Sequence, residues 1–168
     1  MALLDPLMAK ISSVAVAERL LPHLKQKLQI QPDHVGGYYL TGILVHQYRQ
    51  QPSVALRFWR KGMGLGFAQG LSLEGSLLFC RAIFAVNPED SYRIMTRIVG
   101  DPKHPPTATA LFQKAEQIFG IGSLCWQLLT TAWEFRRWQM IWGGMQPMQT
   151  KIDTIAAKFR QGDSIKSV

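Results

Sequence analysis

Two stretches of the chain, YYLTGILV at residues 38–45 and LSLEGSLL at residues 71–78, repeat one pattern of apolar and small residues 33 positions apart. The matched positions are Tyr38, Leu40, Gly42, Leu44 and Val45 in the first copy and Leu71, Leu73, Gly75, Leu77 and Leu78 in the second. Two prolines suited to opening a helix, Pro52 and Pro88, lie 36 positions apart. This period indicates successive helical hairpins of about 35 residues, each with a small residue where its two helices cross.

The rest of the chain also favours helices, because it contains no Asn-Gly or Asp-Gly hairpin and no clean alternation of apolar and polar residues. We expect Pro22 to kink or split the first helix, and Asn87 to cap the helix that Pro88 opens. Apolar periodicity and end signals predict helices over about 12–30, 36–49, 52 to a glycine-rich end at 62–66, 68–85, 88–99, 107–119, 123–142 and 148–160. The sequence therefore predicts an all-α bundle of about seven to eight helices.

The length of 168 residues predicts one domain with a sizeable core. Within residues 1–168 we expect an N-terminal helix over 1–30, repeat-like hairpins over 31–100 and C-terminal helices over 105–160.

Residues 30–90 resemble a tetratricopeptide-like repeat. Gly42 matches the small residue of the first helix of that repeat, and Gln31-Pro32-Asp33 is similar to its inter-repeat turn. The small, aromatic, small series of its second helix is matched by Ala55, Trp59 and Gly62, whereas Thr41 and Glu74 stand where a leucine is usual. An irregular helix bundle with chance spacing remains the alternative.

The resemblance implies binding of another protein in a groove between stacked hairpins. Small bacterial members of that family include chaperones that keep secretion-system subunits soluble, so such a subunit is one partner that the resemblance implies. Fold alone does not fix function.

The composition also favours a protein that binds a partner. Hydrophobic residues make up 47% and charged residues 18%, whereas a typical chain has roughly a quarter charged. A partner or a second copy of the chain is therefore expected to cover some apolar surface. The net charge of +8, from 19 Lys and Arg against 11 Asp and Glu, favours acidic proteins, nucleic acid or anionic lipid.

Residues suited to catalysis or metal binding are not grouped in any recognisable motif. The four histidines and the two cysteines, Cys80 and Cys125, share no metal-ligand spacing, and no serine lies in a nucleophile elbow. The GMGLG stretch at 62–66 follows a helix and lacks the Lys-Ser or Lys-Thr ending of a phosphate loop, which favours a helix terminus and tight turn. We therefore predict a protein without enzymatic activity, metal or cofactor.

The helix over 123–142 carries four tryptophans and is apolar on two sides. We expect Trp126 and Trp133 to pack inward, while Trp138 and Trp142 face a partner beside two arginines. The candidate partner-binding residues are Arg57, Arg60, Lys61, Arg136, Arg137, Trp138 and Trp142.

The leading functional hypothesis is an adaptor or chaperone that binds another protein. The alternatives are a basic helical protein that binds nucleic acid and a structural subunit of a homo-oligomer. We expect a cytoplasmic protein, because residues 1–10 do not form a secretory signal, no window is apolar enough for a membrane span, and two lone cysteines suit a reducing compartment.

Overall fold

The computed structural model describes residues 14–101, 105–142 and 147–162, and all regular structure in these ranges is α-helical. The all-α prediction is thereby confirmed. The described helices are α1 (Val14–Ile30), α2 (Val35–Tyr48), α3 (Pro52–Gln69), α4 (Leu73–Phe84), α5 (Pro88–Val99), α6 (Ala108–Phe119), α7 (Leu124–Trp142) and α8 (Pro147–Arg160).

The chain divides between Ala82 and Ile83 into two compact units, which are described separately. This boundary falls inside α4, after the second copy of the sequence pattern at residues 71–78.

The first unit is built on the antiparallel pair α2 and α3, with α1 packed against α2. Its largest fully buried side chains include Trp59, Tyr39 and Phe79, and the Tyr39 and Phe79 rings meet edge to face with centroids 5.3 Å apart. Burial of side chains of this size contributes about 1.5–3 kcal/mol each to folding. The hairpin and α4 therefore share the centre of the core of this unit.

The second unit places α7 against α5, α6 and α8. Met95, Leu111, Leu128 and Leu129 are fully buried in its core. An exposed ion pair between Arg160 Nη2 and Glu89 Oε1, 2.6 Å apart, joins the end of α8 to the start of α5.

Short polar side chains begin several helices, and the predicted cap at Asn87 is confirmed. The Asn87 Oδ1 atom accepts a hydrogen bond from the Asp90 amide at 3.2 Å, and Thr107 and Ser123 cap α6 and α7 in the same way at 3.1 Å. These contacts satisfy amide groups that have no partner inside the helix.

The predicted end of the third helix at 62–66 is wrong. Helix α3 continues through Gly62 and Gly66 to Gln69 and ends at Gly70, which has the left-handed conformation with φ 75°. The amide of Leu71 then donates to the Gly66 carbonyl at 2.8 Å, as in a Schellman motif. Consequently α4 begins at Leu73 and not near residue 68.

The proline in the first helix does not split it. Helix α1 runs without a break from Val14 to Ile30, and Pro22 is exposed. The turn at Pro32-Asp33 separates α1 from α2, in agreement with the sequence expectation.

Candidate functional site

The α2–α3 hairpin is held together by a tight contact between Gly42 and Trp59. A Cβ atom at Gly42 would lie 2.6 Å from Trp59 Cδ1, closer than real Cβ atoms come to a neighbour. The indole Nε1 donates a hydrogen bond of 3.1 Å to the Tyr39 carbonyl. The buried indole therefore fixes both the separation and the register of the two helices.

Gly62 allows a second close approach, one helical turn after Trp59. A Cβ atom at this position would lie 2.8 Å from Tyr38 Cβ and 2.9 Å from Phe79 Cζ. The hydroxyl of Tyr38 also donates to the Pro32 carbonyl at 2.8 Å. Tyr38 is therefore anchored at both ends, by its Cβ against Gly62 of α3 and by its hydroxyl in the turn before α2.

An open groove of about 340 Å³ lies beside this anchored tyrosine. Its lining residues are Tyr38 from α2 and Val54, Arg57, Phe58 and Lys61 from α3. The Tyr38 and Phe58 rings are half-buried, with centroids 6.4 Å apart and planes inclined by 38°. The two rings and the half-buried Val54 give the groove an apolar floor.

Two cations form the rim of the groove. Arg57 and Lys61 are exposed and stand one helical turn apart, and their side chains make no hydrogen bond or ion pair with the other described residues. Neither α2 nor α3 contains an Asp or Glu. Like charges at this spacing destabilise a helix by about 0.2–0.5 kcal/mol, so an anion bound between them would relieve their repulsion.

The other charged candidates lie elsewhere. Arg60 is exposed on α3 but does not line the groove. Arg136 lies beside the end of α5, where a Cβ at Gly100 would be 3.4 Å from its guanidinium carbon. A cation at that end of a helix interacts favourably with the helix dipole, which gives Arg136 a structural role. Arg137 is exposed on α7.

Of the four tryptophans of α7, Trp126 and Trp133 have described side chains, and both were expected to pack inward. They are half-buried, whereas Leu124 and Leu128 on the same helix are buried. The Trp126 and Trp133 rings flank Phe112 of α6, with centroid distances of 5.4 and 5.9 Å. The side chains of Trp138 and Trp142 lie outside the described residues.

Two histidines of the α2–α3 hairpin, His34 and His46, have lowered pKa values. Nδ1 of His34 accepts a hydrogen bond from the Gly37 amide at 2.8 Å and so caps α2. Burial, assisted by the charge of Lys27, lowers the pKa of His34 below its usual range. Burial also lowers the pKa of His46, whose ring packs edge to face on Trp59 at 5.7 Å. Both histidines are therefore held in their neutral form near pH 7.

The described parts of the chain contain no cluster of three His, Cys, Asp or Glu side chains that could hold a metal ion. None of the helices in these ranges is long and apolar enough to cross a membrane. Cys80 and Cys125 are buried and are not joined by a disulfide.

The groove brings together residues that sequence reasoning found only in part. Arg57 and Lys61 were among the candidate partner-binding residues. The aromatic floor was missed, because Tyr38 and Phe58 are 20 positions apart and meet only through the hairpin. The helical-hairpin repeat was the one signal that could have placed these rings together.

Comparison with known proteins gives no guide to the use of this groove. No protein-family model matches the sequence, and no curated protein or solved structure gives a significant match. Arguments about function therefore depend on the chemistry of the described residues.

Proposed function

We propose that this chain is an adaptor or chaperone that binds a partner protein through its α2–α3 hairpin. The observation that carries this proposal is the groove with an apolar floor and two cations at its rim. Protein partners commonly insert an apolar anchor into such a groove, and charged groups at the rim then guide the approach and fix the orientation. A bacterial secretion-system subunit is one class of partner suggested by the sequence resemblance.

The contacts that hold Tyr38 in place support a binding role. Tyr38 is fixed by the close approach at Gly62 and by its hydrogen bond to Pro32. Little conformational entropy of this groove residue is therefore lost when a partner binds. We place this activity in the cytoplasm, where two buried thiols such as Cys80 and Cys125 stay reduced.

Nucleic-acid binding is the second candidate, and the distribution of charge favours it. Residues 1–82 contain nine Lys and Arg against four Asp and Glu, a net charge of +5. Affinity for nucleic acid depends on several phosphate contacts at once, however, and only two cations line the groove. The apolar floor is also better suited to a side chain than to a sugar-phosphate backbone.

The proposal is tested by affinity capture with matched variants. The parent, an Arg57→Glu/Lys61→Glu variant and an Arg60→Glu control are immobilised and exposed to extract of the source organism, with and without nuclease. We expect a protein that is retained by the parent and by the control, lost with the double variant, and bound again when both proteins are purified.

Other results would contradict the proposal. Retention only of material that nuclease removes would establish the nucleic-acid alternative. A stable oligomer of the purified chain in light scattering, with no retained protein, would establish the structural-subunit alternative. Circular dichroism of each variant checks that the helices are intact.

A further inference from the structure

The chemistry of the groove narrows the class of partner. We infer that it binds an acidic segment of a partner protein, in which carboxylate side chains flank one apolar side chain. This inference rests on the proposed function and adds to it the place and the chemistry of recognition.

The volume of the groove limits what enters it. About 340 Å³ is at the lower end of the range for ligand sites, which gives room for one or two side chains but not for a whole helix. The half-buried rings of Tyr38 and Phe58, together with Val54, surround this space with apolar groups. The part of the ligand that enters is therefore apolar.

The rim determines the charge of the flanking groups. Arg57 and Lys61 are on one face of α3, a single turn apart, without a partner among the described residues. Carboxylates on either side of the inserted apolar group would each reach one of these cations, since both stand beside the same groove. Because neither α2 nor α3 carries an Asp or Glu, no acidic residue of the hairpin helices competes for them.

The two cations differ in what they offer a carboxylate. The guanidinium of Arg57 presents a planar set of donors that suits bidentate contact, whereas Lys61 acts as a flexible point charge. We therefore expect Arg57 to set the position of the segment and Lys61 to contribute mainly to attraction.

Fluorescence anisotropy with defined probes tests this inference. The probe is a short fluorescein-labelled peptide in which two glutamates flank one phenylalanine, and its controls replace the glutamates with glutamines or the phenylalanine with alanine. A labelled oligothymidylate of equal charge is the nucleic-acid probe. The full chain is measured as the parent, as Arg57→Gln/Lys61→Gln and as Arg60→Gln, a control on the same helix outside the groove lining.

We expect the parent and Arg60→Gln to bind the acidic peptide equally. The Arg57→Gln/Lys61→Gln variant should bind this peptide about a hundredfold more weakly, about tenfold for each charge-assisted hydrogen bond that is lost. Both control peptides should bind more weakly, and added salt should reduce the affinity for the acidic peptide.

Three results would overturn the inference, and they differ in what they say of the proposed function. Equal binding by the parent and Arg57→Gln/Lys61→Gln would exclude the groove as the site. Failure of the acidic peptide to bind, while a partner protein is captured, would exclude the assigned chemistry and leave the proposed function in place. Tighter binding of the oligothymidylate, with displacement of the peptide, would overturn both in favour of nucleic acid.

Discussion

The indole of Trp59 covers Gly42 so closely that a Cβ at Gly42 would lie 2.6 Å from Trp59 Cδ1. Trp59 is completely buried and donates its Nε1 proton to Tyr39, so it cannot move aside without breaking that hydrogen bond. This contact joins the two helices whose surface forms the groove.

Gly42→Ala should therefore destabilise the protein even though alanine is the better helix former. Overpacking a buried crossing costs about 1–3 kcal/mol, which exceeds the gain of about 1 kcal/mol in helix propensity. Urea denaturation followed by circular dichroism measures the change in the free energy of unfolding. An unchanged or increased stability would show that the hairpin tolerates a wider separation of α2 and α3.

Gly64→Ala is the matched substitution at a glycine that is not in a close contact of this kind. A Cβ at Gly64 would meet no atom of the described residues within 4 Å, and the residue is exposed inside α3. The variant should be more stable than the parent by up to about 1 kcal/mol, because alanine restricts the unfolded chain and favours the helix. If it is less stable, α3 is not an uninterrupted helix at this point.

The different roles of these glycines explain where the sequence-based prediction of α3 fails. Several closely spaced glycines favour a helix end when only local propensity is considered. In the folded unit, packing explains the absence of a Cβ at Gly62 and Gly66: Gly62 admits Tyr38 and Phe79, and Gly66 lies against Leu71. Gly70 alone has the left-handed backbone that ends the helix.

Local signals in the sequence, such as helix-opening residues and apolar periodicity, located the remaining helices to within a few residues. Such signals are readable because they act over short distances along the chain: Asn87, Thr107 and Ser123 each accept a hydrogen bond from an amide only three positions away. The groove could not be predicted in this way. It requires Tyr38 to be placed against Phe58, which depends on tertiary packing at Gly42 and Gly62.

Gln50 provides a test of the turn between α2 and α3. It is the one non-glycine residue with a positive φ recorded in the described ranges, at 52°. Gln50→Gly should increase stability by about 0.5–1 kcal/mol, because relief of the left-handed conformation exceeds the entropy that glycine loses on folding. Thermal melting is the measurement.

Gln51→Gly is the control for this turn, since Gln51 has a φ of −115° that any residue adopts. This neighbouring substitution should leave stability unchanged or reduce it. An equal gain from both variants would mean that loop flexibility, and not backbone strain at Gln50, determines the result.

The ion pair between Glu18 and Arg49 should contribute a small, salt-dependent free energy. Arg49 Nη2 lies 2.8 Å from Glu18 Oε2, and both side chains are partly exposed. The hydrogen bond from Arg49 lowers the pKa of Glu18, so the pair persists until the pH falls through that lowered value. A double-mutant cycle with Glu18→Gln and Arg49→Gln should give a coupling that decreases as salt is added. A coupling that salt does not change would contradict an exposed electrostatic pair.

Acidification should weaken the first unit through His34 and His46. Burial lowers the pKa of both histidines, so in the folded state they bind protons only below the usual value of about 6.5. Between that value and the lowered folded pKa, the unfolded chain binds more protons than the folded one. The free energy of unfolding should therefore be highest above about pH 6.5 and should fall as the pH decreases through this window.

His34→Asn separates the helix cap from the other titrating groups. Nδ1 of His34 must be unprotonated to accept the Gly37 amide proton, whereas an asparagine oxygen can cap the helix at any pH. Urea denaturation from about pH 8 to about pH 5 should show a flatter pH dependence of the free energy of unfolding for this variant than for the parent. If His34→Asn keeps the full pH dependence of the parent, protonation of His34 does not open the cap. The pH dependence would then be assigned to His46, whose burial against Trp59 opposes protonation.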